Sequence, residues 1–162
     1  MTKTALLVVD VQKGFINEHT AHIPALIQEL VPSYKTVFAT RFYNPEGSNY
    51  RRLLKWSRFS RESPDTELAF APAANIRIID KPIYTCVTNA FLATLDDLAV
   101  TEVHIVGIDT DICVAKCAAD LFERGRTPFV IAKYCASHAG PDLHKAALQI
   151  IARYIGKSQV IT

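Results

Sequence analysis

The sequence predicts a three-layer α/β/α domain built on a mostly parallel, Rossmann-like sheet of five or six strands. Three observations carry that expectation. Short apolar runs alternate with segments of helical period along nearly the whole chain. The first run, Thr4–Val9, is continuously apolar rather than alternating, as a strand covered on both faces must be. Finally, Val103–Gly107 reads as a buried strand that turns through small and acidic residues directly into a helical pattern.

Taken in order, Thr4–Val9 is strand one and Asp10-Val11-Gln12-Lys13-Gly14-Phe15 leaves it as a loop. A first helix is expected over 23–34, with Pro24 tolerated in its first turn. Strand two covers 36–40. Residues 41–63 are polar, aromatic and interrupted by Pro and Gly, with a short helix expected over 50–58. Strand three covers 76–80, a helix 89–98 and strand four 102–106. The next helix runs from Ile112 to Glu123 and is stopped near Gly125. Strand five covers 128–132, a long helix 141–155, and 159–161 a short last strand. With no repeat, linker or low-complexity segment, residues 1–162 are expected to form a single domain.

Composition narrows the function. A chain of 162 residues, 49% apolar and 21% charged, is ordinary for a soluble globular protein. A net charge of +2 with no basic stripe argues against nucleic acid. No apolar run approaches membrane-spanning length, so no membrane partner is expected and the protein reads as cytoplasmic. The four cysteines, Cys86, Cys113, Cys117 and Cys135, form no CxxC pair and are expected to be reduced.

In a fold of this kind ligands sit beyond the carboxyl ends of the strands, where the strand order reverses. Three residues fall at that edge: Asp10 after strand one, Lys81 after strand three and Cys113 after strand four. Each has an ordinary alternative reading, as a turn residue, a surface lysine or a buried thiol. Together they supply a nucleophile, a base and a cation. Cys113 at a helix start would feel unpaired N–H groups and the helix dipole, which favour thiolate.

These residues also carry a family resemblance. Leu6-Leu7-Val8-Val9-Asp10-Val11-Gln12, Lys81-Pro82-Ile83-Tyr84 and Val106-Gly107-Ile108-Asp109-Thr110-Asp111-Ile112-Cys113-Val114 resemble three motifs of the isochorismatase-like cysteine hydrolases, a superfamily that includes nicotinamidases. The resemblance implies an Asp10–Lys81–Cys113 triad and a thioester formed on Cys113. It also implies a cis peptide at Ile108–Asp109 and an oxyanion hole of the Asp109 and Cys113 backbone N–H groups. Substrate-contact candidates beside these are Phe15, Arg41, Tyr84 and Ile112, Arg41 alternatively pairing with Glu46 or Asp65. Tyr43 and Trp56 lie in a segment that could cover the pocket of the same or a neighbouring subunit, and a homo-oligomer is expected.

One departure bears on cofactors. Nicotinamidases carry a metal site after strand two, built on an Asp-x-His pair. Here Thr40-Arg41-Phe42-Tyr43-Asn44-Pro45 occupies that place, and His19, His22, His104, His138 and His144 are scattered elsewhere. A catalytic zinc needs about three protein ligands, so neither metal nor other cofactor is expected. His138 and His144 read as capping or solvated residues at the start of the last helix. The leading expectation is therefore a metal-independent cysteine hydrolase of a small amide or related C–N bond. A vinyl-ether hydrolase of the isochorismatase type, a nicotinamidase-like amidase and a non-catalytic binding protein of the same fold are the alternatives.

Overall fold

A computed structural model describes residues 3–162. Six strands form one sheet: β1 (Lys3–Val9), β2 (Val37–Phe42), β3 (Arg77–Lys81), β4 (Val100–Ile108), β5 (Thr127–Ala136) and β6 (Val160–Ile161). Their order is β3-β2-β1-β4-β5-β6 and every pairing is parallel. The order reverses between β1 and β4, which are the central strands. Five helices connect them: α1 (Ile23–Leu30), α2 (Asn49–Arg52), α3 (Asn89–Asp97), α4 (Ala115–Glu123) and α5 (Pro141–Ile155).

The continuous apolar run of β1 is explained by two cores. Ala5, Leu7 and Val9 face one, with Phe91, Leu95, Val114, Leu121 and Ile151 from the helices on that side. Leu6 and Val8 face the other, against Ile23, Ile27, Phe42 and Phe59. Pleat alternation sends successive side chains to opposite faces, so both must be apolar. The edge strand β3 is mostly exposed and carries the charges of Arg77 and Asp80, which discourage edge-to-edge pairing.

Three element boundaries differ most from the sequence reading. The first helix ends as α-helix at Leu30 and tightens into a 3₁₀ turn over Val31–Ser33, because Pro32 has no N–H to continue the ladder. The helix expected over 50–58 is only Asn49–Arg52, capped by the Ser48 side chain. Lys55 then adopts a left-handed conformation (φ 56) that turns the chain and brings Trp56 inward. Strand five extends to Ala136 rather than Ala132. A register shift between Ile105 and Gly107 lets the polar residues Lys133-Tyr134 be accommodated without ending the pairing with β4. Among the described residues, no helix is long and apolar enough to cross a membrane, and all four cysteines are free thiols.

Candidate active site

The crevice opens where β1 and β4 lie side by side and their outgoing loops diverge. Val9 pairs with Gly107, one step before Asp10 and two before Asp109. A Cβ on Gly107 would lie 2.1 Å from the Val9 carbonyl oxygen, and its φ is +121, so only glycine permits this approach. The peptide Ile108–Asp109 that follows is cis.

Asp10 is fully buried, and both its carboxylate oxygens are engaged. Thr40 of β2 donates its hydroxyl to Oδ1 at 2.6 Å, and the same hydroxyl accepts the Asp10 N–H at 3.0 Å. Lys81, the last residue of β3, reaches past β2 to donate to Oδ2 at 2.6 Å. Its Nζ also donates to the Ile83 and Tyr84 carbonyl oxygens at 3.1 and 3.0 Å, which accounts for all three ammonium protons. Cys113 Sγ lies 3.7 Å from the same nitrogen. Gln12 locks the loop from beneath: its side chain donates to the Phe42 and Thr66 carbonyls and accepts the Phe42 N–H. The three residues singled out in the sequence are therefore brought together on one buried floor.

The electrostatics correct one expectation. Cys113 is carried not by the first turn of an α-helix but by a wider π-helical turn, Thr110–Val114, with α4 beginning at Ala115. Burial and the Asp10 carboxylate push the Cys113 thiol well above its ordinary value, with Lys81 pulling the other way. Burial lowers Lys81, but the Asp10 carboxylate and the Cys113 sulfur outweigh it and leave the ammonium raised. Cys117, one turn on, is core as expected. Its Sγ sits 3.9 Å from that of Cys86.

Above the floor lies a cavity of about 250 Å³ with Cys113 at its base. Phe15, Phe42, Tyr50, Trp56 and Tyr84 form its aromatic walls, completed by Leu54 and Ile112. The rings brace one another: Phe42 stacks on Trp56 at 5.8 Å, and Tyr50 meets Tyr84 edge-on at 5.1 Å. Tyr50, Leu54 and Trp56 thus bring the segment 41–63 over the pocket of the same chain. Burial raises the Tyr50 hydroxyl to about 12, helped by Tyr84 and Cys113, so this wall presents a neutral phenol at physiological pH.

Two candidates part company here. Phe15, Tyr84 and Ile112 line the cavity; Arg41 does not. On β2, Thr40 and Phe42 point to the site, so Arg41, between them, must point away. Its guanidinium is paired across the edge with Asp80 at 2.7 and 3.0 Å, rather than with Glu46 or Asp65. Tyr43 also faces outward, under the Arg61 guanidinium at 4.0 Å.

His138 is the residue the sequence reading missed, having been assigned a capping or solvated role. It lines the cavity, and its Nδ1 lies 2.5 Å from Asp109 Oδ2, while its backbone N–H donates to Asp109 Oδ1 at 2.7 Å. The hydrogen bond that His138 donates to Asp109 raises it above the usual histidine value, against partial burial. The available signal was positional: with strand five running to Ala136, His138 stands two residues past a strand end next to β4. His144 instead bonds Thr110 Oγ1 at 2.7 Å, tying α5 to the turn that carries Cys113.

No group of three or more His, Cys, Asp or Glu among the described residues is placed to hold a metal ion. At the end of β2, Arg41 is paired with Asp80, and Asn44 donates to the Trp56 and Arg58 carbonyls at 2.8 and 3.1 Å. That residue set does not fit a cation.

Comparison with known proteins gives the family and the fold. Residues 4–160 match the isochorismatase domain. In structure the chain is similar to a nicotinamidase from Bacillus subtilis (TM-score 0.83, 22% identity, covering 99% of this chain and 100% of that one). It is likewise similar to a cysteine hydrolase from Pseudomonas syringae pv. phaseolicola (TM-score 0.84, 25% identity, 99% and 88%). An N-carbamoylsarcosine amidase from Thermoplasma acidophilum is a third neighbour (TM-score 0.76, 21% identity, 93% and 94%). No protein of curated function matches the sequence significantly.

Proposed function

The chain belongs to the isochorismatase family of hydrolases, and within it we propose a metal-independent cysteine hydrolase that cleaves a small amide or related C–N bond through a thioester on Cys113. The observation that carries this is the convergence of Asp10, Lys81 and Cys113 on one buried floor, with Lys81 Nζ 2.6 Å from Asp10 and 3.7 Å from Cys113. The aromatic cavity above it suits a small, flat, uncharged substrate.

In this reading the thiol proton passes to Asp10 as the sulfur attacks the carbonyl carbon. The oxyanion is received by the backbone N–H groups of Asp109 and Cys113, each such donor being worth about 2.7–4 kcal/mol. Asp10 returns the proton to the departing nitrogen, the C–N bond breaks, and the acyl group remains on sulfur. A water then gives a proton to Asp10 and attacks the thioester; the acid leaves and the proton returns to Cys113. Lys81, bound to Oδ2, keeps Asp10 aimed throughout and favours its return to the carboxylate between proton transfers. The high resting thiol value fits a proton transfer coupled to attack rather than a standing thiolate.

The test is ammonia or amine release across a panel of small amides, with intact-mass detection of the acyl-enzyme. Loss of turnover in both Cys113→Ala and Asp10→Asn, with an adduct on Cys113 in the parent, is the expected result. Activity surviving in Cys113→Ser but not in Asp10→Asn would favour the ether-hydrolase alternative. The expected homo-oligomer belongs to the same proposal. Its support is the exposed apolar row Leu143, Ile150 and Tyr154 along α5, and a monomer mass by light scattering would remove it.

A further inference from the structure

His138 lines the cavity, and the hydrogen-bonding character of its imidazole can invert. Asp109 is 4% exposed and spends both carboxylate oxygens on His138, one on its backbone N–H and one on Nδ1, while the imidazole itself is 43% exposed. A carboxylate so placed accepts, so the proton on Nδ1 is fixed and Nε2 is the nitrogen left for a ligand. Phe15 flanks the ring at 5.7 Å and limits how it can turn. Resting on the amide-hydrolase reading, we propose that His138 selects the substrate: with Nδ1 committed to Asp109, its Nε2–H requires a neutral hydrogen-bond acceptor on the amide in addition to the scissile carbonyl.

Neutral rather than anionic follows from the surrounding charges. The His138 imidazolium is balanced by Asp109. Asp111 adds a further negative influence and Arg58 an opposing positive one, but Arg58 is itself held by Asp65 at 2.8 Å. Lys81 is bound to Asp10, Arg41 is paired outside, and Tyr50 and Tyr84 are both raised and so uncharged. A carboxylate on the ligand would therefore meet no uncompensated cation, whereas a carbonyl or ring nitrogen would meet a directional donor. When the imidazole loses its proton, Nδ1 keeps the hydrogen that Asp109 demands, and Nε2 turns from donor to acceptor. Selectivity for acceptor-bearing amides must vanish as the pH rises through the His138 titration, which lies above that of an ordinary histidine.

Trp56 lines the cavity and is the only tryptophan of the chain, so its fluorescence reports occupancy directly. The probes are benzamides substituted meta or para with acetyl, with isopropenyl (similar in shape but without an acceptor) and with carboxylate, bound to the full-length Cys113→Ala protein. On the acid side the acetyl compound should bind about tenfold more tightly than the isopropenyl one, and the margin should close on the alkaline side. The carboxylate should gain nothing. His138→Leu should erase the margin at every pH. His138→Gln, which keeps a side-chain N–H, should restore it without pH dependence.

A margin near one in the unaltered pocket, a margin that survives His138→Leu, tightest binding by the carboxylate, or no binding by any probe would each overturn the proposal. If the margin holds while the enzyme with Cys113 intact hydrolyses no amide, the hydrolase reading fails alone. If amides are hydrolysed with no margin, only the role of His138 fails.

Discussion

Asp10 closes β1 and Asp109 closes β4, on adjacent strands either side of the crevice, and each has a basic partner. Asp10 and Lys81 are 0% and 3% exposed; Asp109 and His138 are 4% and 43% exposed. The first pair is sealed and fully hydrogen-bonded. The second has one partner partly in water, and that partner titrates above the ordinary histidine value. The same device, a buried carboxylate with a cation, thus serves as a fixed element of the floor at one strand end and as a switchable element of the wall at the next. Solvent access to the basic partner decides which.

The largest effect should come from removing Asp10. Asp10→Asn is expected to lower kcat for amide hydrolysis by about 10²–10⁴ and yet to speed iodoacetamide labelling of Cys113 near neutral pH. Burial and the Asp10 anion raise the thiol while Lys81 lowers it, so neutralising Asp10 moves the labelling profile to lower pH. Slower labelling in the variant would break the contrast between a standing thiolate and a coupled thiol.

Stability tests the sealed pair next. Lys81→Met strands a buried carboxylate and should cost about 3–5 kcal/mol in urea unfolding. The double variant with Asp10→Asn should regain most of that while hydrolysis stays lost. A single variant as stable as the parent would mean the pair is not sealed. Thr40→Val, which removes both the donor to Oδ1 and the acceptor for the Asp10 N–H, should cost about 1–3 kcal/mol.

The switchable pair predicts a smaller, pH-dependent term. His138 is raised in the folded protein, so its contribution is fully present below the ordinary histidine value of about 6.5. That contribution is lost as pH rises through the higher folded value. With the ring partly in water the amplitude should be about 1 kcal/mol or less, and His138→Gln should flatten that part of the stability curve. Arg41→Ala should do least: its exposed pair with Asp80 is worth under about 1 kcal/mol, and KM should not move.

Local pattern was enough for the sheet, the helices around it and the floor of the site. Strand-ending Asp10, Lys81 and Cys113 could be placed at one edge because parallel topology sends the end of every strand to the same side, whatever the side chains do there. Gly107 marked the strand end but not its reason, which is contact with the Val9 carbonyl oxygen on the neighbouring strand.

What required the tertiary structure were relations between segments distant in sequence. Thr40 holding Asp10, Gln12 clamping β2, Trp56 folding back over Phe42 and Asp109 binding His138 each join segments with no local signature of their meeting. Arg41 was decided by pleat parity, since a shift of one residue along β2 exchanges the pocket face for the outer one. His138 depended on β5 continuing to Ala136, an extension paired across the register shift against β4. The sequence by itself determined where Cys113 and its charge partners Asp10 and Lys81 stand. Only the packing of loops onto that edge decided what the pocket walls are made of, because side-chain direction and strand register are set by neighbouring strands rather than by the residues themselves.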